Sequence, residues 1–74
     1  MSFKLAVNSK RYIGQLYVAR DMIKSNYLRR NCCPPSMEID EQKVTLTVSG
    51  SYEPAIEAII QKMNNRQAGL KVQL

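Results

Sequence analysis

The sequence predicts a small α+β domain, a two-layer sandwich in which an antiparallel sheet carries two helices on one face. Three observations predict it. Short segments alternate apolar and polar residues with the period of a strand. Two longer segments repeat their apolar residues with the period of a helix. The chain has 74 residues and is 45% hydrophobic, so residues 1–74 form one globular domain rather than a disordered segment.

The first strand places Phe3, Leu5 and Val7 on one face, with Lys4 and Ala6 on the other. The first helix is expected from about Ser9 to Arg30. Tyr12, Leu16, Ala19, Ile23 and Tyr27 follow one another at four, three, four and four residues, which is one helical face. Asn8 or Ser9 is suited to cap its start. Pro34-Pro35 then forces a loop over residues 31–36, because a proline pushes the residue before it out of the helical region.

A short strand is expected over Met37 to Asp40, turning near Glu41-Gln42 into the strand over 43–49. That strand alternates Val44, Leu46 and Val48 with Thr45 and Thr47. The turn lacks the Asn-Gly or Asp-Gly pair that favours two-residue hairpins. The alternative is therefore a three-stranded sheet plus two helices, with Met37 to Asp40 as loop. The second helix is expected from about Tyr52 to Asn65, striped by Ala55, Ile56, Ile59, Ile60 and Met63. Glu53-Pro54 fits its first turn. Gly69 relaxes the turn into a last strand carrying Leu70, Val72 and Leu74 on one face. The order β-α-β-β-α-β resembles the ferredoxin-like arrangement, a resemblance of pattern across the whole chain with no motif behind it.

Chemistry is constrained by what is missing. The chain has no His, which removes the commonest general base and metal ligand. It has no P-loop, dinucleotide fingerprint or Cys-x-x-Cys. Cys32 and Cys33 are adjacent, a geometry that strains a mutual disulfide. Arg29 and Arg30 just upstream favour a thiolate, but no partner base is evident, and a structural or incidental role is expected of both. Glu38 and Asp40 share a strand face, where charge protects an edge more often than it catalyses. Catalysis is not expected, nor is any cofactor or metal. Without a signal sequence or membrane span, the expected location is the cytoplasm.

Charge points to a ligand. Residues 1–30 hold seven Lys and Arg against Asp21, a net of +6, whereas residues 31–74 hold four against five acids, a net of −1. Such asymmetry suits a phosphate-bearing partner. Tyr17, Arg20 and Lys24 line one edge of the first helix, where cations can hold a phosphate while an aromatic ring stacks on a base. The competing role for Arg20 and Lys24 is packing, with their stems along the core and their charges in water. Arg29 and Arg30 extend the basic set. Gly50 and Ser51 precede a helix N-terminus, a site type that attracts anions.

The expected function is thus a binding module for an anionic ligand, a nucleotide, a nucleotide-type signal or a nucleic-acid backbone. The open sheet face of Lys4, Ala6, Thr45, Thr47, Lys71 and Gln73 lacks the aromatic rings of an RNA-reading sheet but suits a second copy, so a homo-oligomer is expected. The alternative is a protein-interaction module. In general look the chain is similar to compact accessory proteins of phages and mobile elements, which implies a host protein or a cyclic nucleotide as partner.

Overall fold

The computed structural model describes residues 1–74. The elements are β1 (Phe3–Ala6), a 3-10 turn (Lys10–Tyr12), α1 (Ile13–Arg29), β2 (Met37–Asp40), β3 (Thr45–Val48), α2 (Pro54–Asn65) and β4 (Lys71–Gln73). The four strands form one sheet in the order β2-β3-β1-β4, with every neighbouring pair antiparallel. β1 and β2 therefore run parallel on either side of β3, joined by α1. β3 and β4 run parallel on either side of β1, joined by α2.

Met37–Asp40 is a paired strand, which removes the three-stranded alternative. Met37 lies opposite Val48 and Ile39 opposite Leu46. Both side chains pack on the core while Glu38 and Asp40 face solvent. What closes this hairpin is Asp40, whose Oδ1 accepts from the backbone N–H groups of Gln42 at 2.9 Å and Lys43 at 3.0 Å. An aspartate at a turn's first position substitutes for a backbone acceptor in this way. The turn leaves Val44 at φ +56°, outside the β3 ladder where its alternation had put it. A β-branched residue is strained there.

The core lies between one sheet face and the two helices. Thirteen apolar residues are buried, and no polar or charged residue is. Phe3, Leu5, Leu46 and Val48 come from the sheet, Leu16, Ala19 and Ile23 from α1, and Ile56, Ile60 and Met63 from α2. Leu5 sits on a central strand, fully buried, between Leu46 and Val72. Its loss to Ala is expected to cost about 2–5 kcal/mol. A chain of this length holds only about 4–11 kcal/mol in total, so the core carries no spare layer.

The helix ends differ from the expected caps. Ser9 precedes the 3-10 turn, where its carbonyl accepts from Tyr12 N–H at 3.1 Å, and its hydroxyl makes no capping bond. α2 begins at Pro54, two residues later than the expected start at Tyr52. Glu53 is its N-cap through the backbone carbonyl, and Pro54 takes the first helical position. Both helices end in the same six-residue motif. Cys32 N–H reaches Tyr27 O and Asn31 N–H reaches Leu28 O, with Asn31 at φ +55°. Ala68 N–H reaches Met63 O and Gln67 N–H reaches Asn64 O, with Gln67 at φ +63°. This motif normally places glycine at the left-handed position. The glycine of the second connection, Gly69, is left-handed as well at φ +70°.

Leu74 is 89% exposed and lies beyond β4. Cys32 and Cys33 are free and exposed, because they follow the end of α1 into the proline loop instead of turning inward. No helix is long and apolar enough to cross a membrane.

Candidate functional site

Helix α1 sets the basic stripe. Leu16, Ala19 and Ile23 face the sheet, which turns Tyr17, Arg20 and Lys24 to the side of the helix nearest β2. There Arg20, Asp21 and Lys24 form one wall of an open cleft of about 570 Å³, and Pro34, Pro35, Ser36 and Met37 form the other. The proline loop is held in place by the sheet, since Ser49 N–H donates to Ser36 O at 2.9 Å.

Tyr17 adjoins the cleft through Arg20, whose guanidinium lies 5.1 Å from the ring centroid. The Tyr17 hydroxyl donates to Glu41 Oε2 at 2.7 Å, which ties α1 to the hairpin turn. That hydrogen bond to a carboxylate, aided by burial, raises the Tyr17 pKa above 10.0. Arg20 also contacts Asp21, Nε to Oδ1 at 3.6 Å, an exposed pair of little energetic weight. Lys24 has no ion-pair partner.

The other expected residues lie elsewhere. Arg30 stacks on Tyr27 at 4.7 Å from the ring centroid and reaches Glu53 Oε2 at 3.4 Å. Tyr27 donates its hydroxyl to the other Glu53 oxygen at 3.0 Å. This triad braces the end of α1 against the start of α2. Desolvation first, and the Glu53 carboxylate second, raise the Tyr27 pKa. Arg29 borders a separate hollow between the helices. Gly50 backs the cleft at second hand, because a Cβ there would meet Pro35 Cβ at 3.4 Å. Ser51 directs its hydroxyl to Met1 Sδ at 3.8 Å. The helix start behind it has a proline without an N–H group and the Glu53 carboxylate.

The structure thus joins Arg20 and Lys24 in one cleft, with Tyr17 beside them, and separates Arg29, Arg30 and Ser51 from it. Sequence reasoning missed the second wall. Pro34-Pro35 was legible only as a break in the helix, and nothing in the spacing said that the loop folds back over α1. It also missed Glu41 and Glu53, whose tyrosine partners are 24 and 26 residues away. Comparison with protein-family models, curated proteins and solved structures found no match.

Proposed function

We propose that the protein is a non-enzymatic binding module that takes a phosphate-bearing anion, such as a nucleotide, in the cleft between α1 and the proline loop. The observation that carries this is the convergence of Arg20 and Lys24 on one open cleft opposite Ser36 and Pro34-Pro35. Two cations and a hydroxyl suit phosphate oxygens. The proline rings offer a flat apolar wall for a base or sugar. Asp21 is the one acid on the cleft, so the lining keeps a net positive charge, with Lys24 free of any ion pair. Two interleaved β-α-β units, each with a strand inserted between its parallel pair, support a ferredoxin-like arrangement as the scaffold.

The test is calorimetric titration with ATP, a cyclic dinucleotide and a short single-stranded RNA. Saturable binding is expected, weakened roughly tenfold or more in the double variant Arg20→Glu, Lys24→Glu, and little changed in Arg11→Glu. A double variant that binds as tightly as the parent sinks the site. A steep loss of affinity with salt identifies a nucleic-acid backbone, and a shallow one a small nucleotide.

A further inference from the structure

The seam between α1 and α2 leaves apolar surface in the open, on a different side of α1 from the phosphate cleft, with Asp21 at the border of both. Val18, Met22 and Arg29 lie on one ridge of α1, spaced four and seven residues apart. Ile59, Lys62 and Arg66 form the facing ridge of α2, spaced three and four. Between the ridges run two hollows of about 250 Å³ each, which share Val18 and Met22 and so form one groove. Val18 is 47% exposed, and Met22 and Ile59 are only half-buried.

The groove's ends are charged alike. Lys62 and Arg66 flank one end and Arg29 the other. None of the three has an ion-pair partner. Asp21 is the single acid on the lining, and it contacts Arg20. An apolar floor with unpaired cations at both ends specifies an occupant that is apolar along one stripe and acidic beside it.

We propose that this groove docks an amphipathic, acidic helix of a partner protein. From Gln15 to Arg29 the α1 ridge extends ~21 Å, the length of a helix of about four turns. Seated there, such a helix places apolar residues at i, i+4 and i+7 on Val18, Met22 and Ile59 and its carboxylates on the terminal cations. Met22 supplies an adaptable surface. A second copy of this chain does not fit, because any two-fold contact through the groove brings Arg29, Lys62 and Arg66 against the same cations. Nucleic acid does not fit either, since the floor has no aromatic ring on which a base could stack.

Three labelled sixteen-residue peptides test the proposal by fluorescence anisotropy and by amide chemical shifts of the intact protein. One has a leucine stripe flanked by glutamates, one has the same stripe flanked by lysines, and one scrambles the acidic composition. The acidic amphipathic peptide is expected to bind saturably, become helical, and shift Val18, Met22 and Ile59. The other two are expected to bind roughly tenfold more weakly or worse. Val18→Glu and Lys62→Glu should each weaken the acidic peptide while the far-ultraviolet spectrum stays native, since both sites are exposed. Lys24→Glu, at a cation that lines the phosphate cleft and not the groove, should leave it unchanged, which separates the two sites. Equal binding of the scrambled peptide, shifts confined to other surfaces, or affinity weaker than about 1 mM for all three would overturn the proposal. So would a dimer that Val18→Glu dissociates.

Discussion

Asn64 holds Leu70 by both of its backbone groups. Its Nδ2 donates to Leu70 O at 3.0 Å, and its Oδ1 accepts from Leu70 N–H at 2.8 Å. A side-chain amide here substitutes for a neighbouring strand and closes the connection from α2 to β4. Leu70 is buried, so without this clamp its peptide groups lose partners that water replaces poorly. Asn64→Ala is expected to lower stability by about 1–3 kcal/mol, the net worth of two such bonds. Urea unfolding followed by circular dichroism measures it. A midpoint unchanged from the parent would refute the clamp.

Both helices end on a left-handed residue that is not glycine, Asn31 at φ +55° and Gln67 at φ +63°. Gln67→Gly is expected to raise stability by roughly 0.5–1 kcal/mol, because glycine takes this conformation without a Cβ clash. Asn31→Gly should gain less, since asparagine tolerates the left-handed region better than glutamine does. Gly69→Ala should lose roughly 1 kcal/mol by the same logic. Thermal melts of the three variants give the ranking.

Alkaline pH should destabilise the fold. Desolvation, with Glu53 as the second cause, raises the Tyr27 pKa, and desolvation, with Glu57 as the second cause, raises that of Tyr52. A raised folded-state pKa means that the folded protein holds the proton more tightly than the unfolded chain. The resulting stability is complete below the unfolded value of 10.0 and is lost as pH rises through the folded value. Unfolding midpoints should therefore fall above pH 10.0, and less steeply in Tyr27→Phe. Glu53→Gln should bring the Tyr27 titration back toward 10.0 in a spectroscopic titration.

Cys32 and Cys33 are exposed, so both should react with a thiol reagent in the native state. Labelling of two thiols per chain without denaturant, at close to the denatured rate, is the expected result. Protection of either thiol would show that the loop shields it.

The alternating strands and striped helices were legible because burial imposes a period on sequence. Phe3-Leu5 and Leu46-Val48 report period two, and Leu16-Ala19-Ile23 reports a helical face. Met37–Asp40 stayed ambiguous because four residues hold only two inward positions, and its hairpin depends on Asp40 rather than on a glycine pair. The candidate site was half legible. One helix places Arg20 and Lys24 together, and helical spacing reveals that. The proline wall, the Tyr17–Glu41 bond and the Tyr27–Glu53–Arg30 brace join residues far apart in sequence, which local patterns do not encode.

β1 occupies the interior of the sheet, bonded to β3 on one side and β4 on the other. β1 thus finds neither neighbour until β3, at Thr45–Val48, and β4, at Lys71–Gln73, have followed it along the sequence. Its assembly must close loops of some 40 and 65 residues before any central pairing rewards the ordering. The domain should accordingly fold as a unit, with both strand partners of β1 gained late, and fragments cut between β2 and α2 should remain unstructured. Concentrating its long-range pairings on one early segment makes folding a property of the whole domain rather than of any part of it.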